Sequence, residues 1–118
     1  MKVIDLTHTV SEGMPVYPGT KPPEFVSAND YESDGFKETL LQIYTHTGTH
    51  IDPPSHIYAD RTALDMFSAE RFIGKALVID CRNLNDGEEI TVEMVNGYGD
   101  KALNADFLLF NTGWDKRW

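Results

Sequence analysis

The sequence predicts an α/β domain in which strands outnumber helices. Two short, continuous apolar runs, Ala76–Asp80 and Ala105–Phe110, are typical of strands that are buried on both faces of a sheet. A third segment, Phe36–Thr45, alternates apolar with polar residues and predicts a further strand. Because the helical signals are short by comparison, we expect a strand-rich α/β or α+β class.

The first quarter of the chain has weaker signals. The apolar segment Lys2–Leu6 predicts a strand, and Glu24–Ala28 predicts another. Between them, Ser11–Pro23 holds four prolines and two glycines and therefore predicts a loop. The polar segment Asn29–Gly35 predicts a turn before the third strand.

Two short helices are indicated by their capping residues. Ser68 can cap a helix over 69–72 that ends at Gly74, because a serine before a helix and a glycine after it are common terminators. Thr91 can cap a second helix that ends near Gly97 or Gly99. The polar segment between the two helices at 84–89 predicts a turn.

Composition limits both the organisation and the partners. The 118 residues, 41% hydrophobic and 25% charged, predict one globular domain over 1–118. A net charge of −9 argues against a nucleic-acid partner, because phosphate binding needs positive charge. No apolar run approaches the roughly 20 residues of a membrane span. Lys2 and Asp5 stand where a signal peptide would be apolar, so we expect a cytoplasmic location.

The sequence has a single cysteine, Cys81, at the end of the predicted strand Ala76–Asp80. One cysteine excludes an internal disulfide, which agrees with a reducing compartment. No histidine lies near Cys81 in the sequence, so we interpret it as a buried structural thiol and not as a nucleophile.

The densest chemistry lies in the stretch Thr45–His56. His46, His50, Asp52 and His56 place four nitrogen and oxygen donors within eleven positions, which is the ligand type that a divalent metal needs. A lone histidine is usually structural, but this density favours a metal site.

The spacing also predicts a backbone conformation. If the stretch is a strand, His46, Gly48, His50 and Asp52 point to one face, and His50 lies next to Asp52. His46 and His50 would be about 13 Å apart in a straight strand, which is too far for one ion. We therefore expect the chain to bend at Gly48 if all of these residues bind one metal.

The pattern His-x-Gly-Thr-His-x-Asp-x-Pro-x-His resembles the signature of the metal-dependent cyclase/hydrolase family that includes bacterial kynurenine formamidase and isatin hydrolase. Three other blocks, Asp5–His8, Gly13–Gly19 and Asn111–Trp114, are similar to family blocks in the same order. Pro53 stands where many relatives have alanine. Family members also continue well past the last block, where they supply a further histidine and an acidic residue.

The resemblance implies a swivelling β/β/α fold that is incomplete at its C-terminus, with this chain as the N-terminal part of a longer family member. It implies one or two Zn²⁺ or Mn²⁺ ions held by His46, His50, Asp52 and His56. The metal would activate water for attack on an aryl formamide or cyclic amide, with His56 also moving a proton.

Three aromatic residues, Tyr17, Phe36 and Trp114, are candidates for stacking on the substrate, although each is more often part of a core. The competing hypothesis is a non-catalytic metal-binding fragment, because no histidine follows His56. We also expect a homo-oligomer, since the strand around Phe107–Phe110 needs apolar cover.

Overall fold

The computed structural model describes residues 2–118. They form two compact units, divided between Arg61 and Thr62. Strands and helices are both short, and the mixed strand and helix class predicted from the sequence is confirmed.

The first unit contains an antiparallel hairpin. Strand β1 (Glu24–Asn29) pairs with β2 (Glu38–Gln42), with a bulge between Ser27 and Asn29. The polar turn between the strands forms as predicted, and the Asp30 carboxylate accepts hydrogen bonds from two backbone N–H groups within it.

Two strand predictions in this unit need correction. Residues 2–10 contain no regular element, so the strand expected over 2–6 is wrong. There the Asp5 carboxylate accepts hydrogen bonds from the N–H and hydroxyl of Thr7, a local arrangement that competes with strand formation. The strand expected over 36–45 is only five residues long, because its last residue Gln42 already pairs with Glu24, the first residue of β1.

The second unit is built on two parallel strands. Strand β3 (Ala76–Asp80) pairs in register with β4 (Phe107–Asn111). Helices α1 (Val92–Asn96) and α2 (Asp100–Leu103) lie in the connection, as expected for a parallel pair that needs a crossover.

The prediction that both strands are buried on both faces is wrong for this chain. Ile79 is fully buried, whereas Val78 is 53% exposed and Leu109 is 41% exposed. A sheet of two strands offers apolar side chains on both faces, and both faces here stay partly exposed: Phe110, which pairs with Ile79 on one face, is 42% exposed. Cys81 follows β3, is buried, and donates its N–H to the Asn111 carbonyl, in agreement with the structural role predicted for it.

Ser68 and Thr91 occupy the predicted capping positions but act differently from expectation. Neither side chain bonds a backbone N–H of its helix. Their hydroxyl groups instead donate to carboxylates in the first turn, which lowers the pKa of Glu70 and of Glu93. The first of these helices is a 3₁₀ turn, Ala69–Phe72.

Gly74 directly follows Ile73, the C-cap of that turn, as predicted, but it lacks the positive φ that a terminating glycine often adopts. It lies against Asp106, whose carboxylate accepts a hydrogen bond from the N–H of Lys75. Within residues 2–118, no helix has the length and apolar character needed to cross a bilayer.

Candidate metal centre

The histidine stretch follows β2 as an irregular loop. Residues 43–53 contain no strand, so the one-face strand predicted for His46, Gly48, His50 and Asp52 is wrong. The chain instead bends over 45–49, and Gly48 has a φ of 64°. That left-handed conformation favours glycine, because a Cβ would clash with the backbone. The predicted bend at Gly48 is therefore present.

The bend packs against the opening segment of the chain. A Cβ added at Gly48 would lie 3.3 Å from Met14 Cε and 3.5 Å from Val10 Cγ2. Met14 is buried, and the backbone N–H of His8 donates to the Thr49 hydroxyl at 3.3 Å. The loop conformation thus depends on residues more than thirty positions away.

Three donor side chains converge on the surface of this loop. His46 Nδ1 lies 2.6 Å from Asp52 Oδ1, and His50 Nε2 lies 3.3 Å from the same oxygen. One ligand atom from each of the three residues lies within 4.8 Å of the other two. Two imidazoles and a carboxylate are donor types that suit Zn²⁺ or Mn²⁺.

The hydrogen bonding of His50 strengthens this fit. Its Nδ1 lies 2.8 Å from the Gly48 carbonyl oxygen, which can only accept, so Nδ1 carries the proton. In neutral His50 the lone pair of Nε2 then faces the Asp52 carboxylate, and a cation between them would satisfy both groups. Histidine ligands commonly fix their tautomer by donating the other ring N–H to a carbonyl in this way.

His56 approaches from the other side of the two prolines. It ends a 3₁₀ turn, Pro54–His56, that follows the extended Pro53. Its ring lies against that of His46, with centroids 3.9 Å apart and planes tilted by 41°. His56 is not part of the three-residue donor group, and its predicted role as a ligand remains a prediction.

An open cavity of about 520 Å³ surrounds these side chains. Its lining includes Tyr17 and all four predicted metal ligands, and substrate binding by Tyr17 stays a prediction. Sequence reasoning missed Thr20 and Tyr44, which also line the cavity. Tyr44 could have been found, because it stands two positions before His46 in the alternating pattern that predicted the strand.

The other two aromatic candidates are not among the residues that line this cavity. Phe36 is half-exposed before β2 and does not line this cavity. Trp114 belongs to the second unit, where the Arg117 guanidinium lies 4.6 Å above its ring and the indole lines a small cavity beside Cys81. A substrate contact at Trp114 stays a prediction.

The second unit contains a close charge pair of its own. The Arg82 guanidinium lies 2.6 Å from the Asp80 carboxylate, and hydrogen bonds from its side chain and backbone lower the pKa of Asp80 to about 2. Asp80 ends β3 and Arg82 follows two positions later, so we interpret the pair as a local structural contact.

The family model described as "Putative cyclase" matches residues 4–118. The chain belongs to this cyclase family. Its histidine motif and the flanking blocks named above all fall within the matched range.

Named relatives agree with the family model. A kynurenine formamidase from Salinibacter ruber is 33% identical over 82 residues, covering 68% of this chain and 39% of the relative. Another, from Erythrobacter litoralis, is 28% identical over 117 residues, covering 97% of this chain and 50% of the relative. An isatin hydrolase from Roseibium aggregatum is 25% identical and covers 99% of this chain and 52% of the relative.

A solved structure is also similar to this chain. Isatin hydrolase A from Labrenzia aggregata, bound to benzyl benzoate, superposes with a TM-score of 0.83 at 32% identity. The match covers 98% of this chain and 52% of that protein. The chain therefore spans about half the length, or less, of the relatives that it matches.

Proposed function

We propose that this chain carries the metal-binding part of a metal-dependent amide hydrolase that acts on an aryl formamide or a cyclic amide. The observation that carries the proposal is the convergence of His46, His50 and Asp52 in one open cavity with aromatic lining residues. The names of the relatives, kynurenine formamidase and isatin hydrolase, support the substrate class.

Each side chain of the cavity has a role in this proposal. His46, His50 and Asp52 would hold Zn²⁺ or Mn²⁺, and His56 would help to hold a second ion if one binds. A bound ion would supply Lewis acidity and lower the pKa of a water molecule. His56 holds or moves the proton that the leaving nitrogen requires, since its imidazole lies beside the donor group without belonging to it.

The apolar part of the cavity orients the substrate. Tyr17 offers an aromatic face on the lining, where a flat aryl amide can stack. Trp114 is proposed as a second aromatic contact. We propose that the protein acts on a small molecule and has no nucleic-acid or membrane partner. We also propose a cytoplasmic location.

A second candidate function is a metal-binding fragment without catalysis. The matched segment covers only 39–52% of the relatives' length, and His56 is the last histidine of the sequence. We therefore propose that this 118-residue form is by itself a poor catalyst. We also propose that it is part of a swivelling β/β/α fold to which further residues contribute. We further propose that residues 1–118 form a single domain of this fold.

Self-association is the remaining part of the proposal. Leu108, Leu109 and Phe110 on β4 are 36–42% exposed, and such an apolar strand favours cover by a second copy. Light scattering of the purified chain would give a mass of twice 13.3 kDa or more. A monomer at micromolar concentration would contradict this part alone.

The function is tested by loading the protein with Zn²⁺ or Mn²⁺ and assaying hydrolysis of formanilide and isatin. We expect slow hydrolysis that His56→Ala reduces further, by roughly the 10²–10⁴-fold range of acid–base groups. Metal content should be unchanged if His56 acts on the proton. Tyr31→Ala is the control, because Tyr31 lies in the hairpin turn, is 72% exposed and does not line the cavity.

The outcomes separate the two candidates. No hydrolysis above the metal-free protein favours the metal-binding fragment. Turnover of many per second by the 118-residue form would contradict the expectation of a poor catalyst. Equal hydrolysis by the parent and by His56→Ala would remove the proton role from His56.

A further inference from the structure

A second cavity adjoins the candidate metal centre and has no role in the function proposed so far. It has a volume of about 220 Å³ and is lined by Lys21, Pro22, Gln42, Ile43 and Tyr44. Tyr44 also lines the cavity that holds the histidines. The two cavities therefore share one aromatic wall, at the point where β2 gives way to the metal-binding loop.

Tyr44, the shared wall, follows closely after the end of β2. Gln42 is the last residue of β2 and pairs with Glu24 of β1, so the chain leaves a hydrogen-bonded ladder only two residues before Tyr44. The irregular segment just before β1 contributes Lys21 and Pro22 to the lining, and proline limits backbone freedom there. The second cavity thus lies where β2 ends, whereas the first lies on the loop that follows.

Size and charge indicate what this cavity accepts. A cavity of roughly 150 Å³ is enough to hold a benzene-sized ring, and this one is larger. Its lining is mainly apolar in area. Lys21 is the charged residue of the lining, and its ammonium group lies 2.5 Å from a Glu24 carboxylate oxygen. Because that positive charge is already paired, the cavity favours a neutral group over an anion.

We propose that the second cavity is a subsite for a neutral, ring-sized apolar substituent of the amide substrate, and that Tyr44 is a specificity-determining residue between the two subsites. The inference rests on the proposed function, since it assumes that the amide group lies beside His46, His50 and Asp52. A substrate with one ring would fill the first cavity, and a substrate with two rings would place its second ring past Tyr44.

The test compares two neutral probes, formanilide with one ring and benzanilide with two, by amide NMR shifts in the metal-free protein. We expect formanilide to shift signals from the histidine loop only. Benzanilide should shift those signals and also Lys21, Gln42 and Ile43, which line the second cavity alone. Benzanilide should bind roughly tenfold more tightly than formanilide. Burial of one further ring favours binding, and the entropy lost on binding offsets part of that gain.

Two variants sharpen the result. Gln42→Trp fills the second cavity, so benzanilide should lose its advantage while formanilide binds as before. Tyr44→Ala removes the shared wall and should weaken both probes. Tyr31→Ala is the matched control, because Tyr31 lies in the hairpin turn, is 72% exposed and lines neither cavity.

Each outcome decides the inference separately from the proposed function. If benzanilide shifts only the loop signals, or if neither probe binds, the second subsite is wrong even where the protein still binds metal and hydrolyses formanilide. If a benzanilide that carries a carboxylate on its second ring binds more tightly than benzanilide itself, the preference for a neutral group is wrong. If benzanilide shifts both sets of signals while no hydrolysis occurs, the subsite stands and the catalytic proposal fails.

Discussion

The two units of the molecule reach their conformations by different means. In residues 62–118, a parallel pair of strands and two helices follow from short local patterns, and the buried side chains Ile79 and Cys81 lie in or directly after a strand. In residues 2–61, the candidate metal ligands lie on a loop that bends at Gly48 and packs against Met14. Regular elements shape the second unit, whereas a packed loop positions the candidate ligands of the first.

That difference predicts that substitutions in the loop will remove function while the second unit stays folded. The largest effect should come from the ligands themselves. Changing a residue that only orients a metal ligand costs roughly 10–100-fold in affinity, so His50→Ala and Asp52→Ala should each cost at least as much. Competition with a fluorescent zinc chelator measures the loss.

The control for these variants is Asp86→Ala in the second unit. Asp86 is an exposed carboxylate paired with Arg117, and its removal should leave zinc affinity unchanged. Equal affinity in the parent, His50→Ala and Asp52→Ala would show that zinc binds elsewhere.

Gly48→Val tests whether backbone shape matters as much as the ligands. The variant adds a side chain at a φ of 64° and against Met14, and strained positions of this kind cost about 1–3 kcal/mol. We expect a lower free energy of unfolding and at least a tenfold loss of metal affinity, although Gly48 contributes no ligand atom.

Gly13→Val is the matched control for the loop. Gly13 has no positive φ, and a Cβ there meets nothing within 4 Å. Urea unfolding and zinc competition should leave it close to the parent. If Gly48→Val keeps the parent's zinc affinity, His46 and His50 do not need the bend to share an ion.

In the second unit, Gly74→Ala should destabilise without touching the metal. An added Cβ would lie 2.5 Å from Asp106 Cβ and would disturb the Asp106 bond to the Lys75 N–H. Overpacking of this kind costs about 1–3 kcal/mol. Gly97→Ala, where the nearest atom lies at 3.5 Å, is the control measured in the same urea titration.

The smallest predicted effect concerns Asp80 and Arg82. The arginine lowers the pKa of the Asp80 carboxyl from 3.8 to about 2 in the folded protein. The stabilisation is therefore complete above pH 3.8 and is lost as the pH falls through about 2. In Arg82→Ala, carboxyl NMR should give a pKa closer to 3.8; an unchanged value would assign the shift to another group.

The sequence predicted the elements that depend on local pattern. The apolar runs around Ile79 and Leu109 gave the two parallel strands, and Thr91 marked the start of α1. The strand over 2–6 failed because Asp5 bonds Thr7 locally, and the strand over 36–45 was shortened where its partner ended. Pairing partners are not visible in a single run of residues.

The candidate site shows the same limit. The convergence of His46, His50 and Asp52 followed from donor density and from the glycine between them, although the stretch is not a strand. The packing of Met14 against Gly48 could not be predicted, because the contact joins segments far apart in the sequence. The paired cavities around Tyr44 also depend on such long-range folding.

The most direct test is a crystal of the zinc-loaded protein with diffraction measured on both sides of the zinc absorption edge. We expect an anomalous peak roughly 2.0–2.2 Å from one ligand atom each of His46, His50 and Asp52. Asp52 must then move away from the direct His46 contact of 2.6 Å to admit the ion. A zinc-loaded crystal with no peak among these three side chains, or with its peak at other residues, would contradict the metal centre.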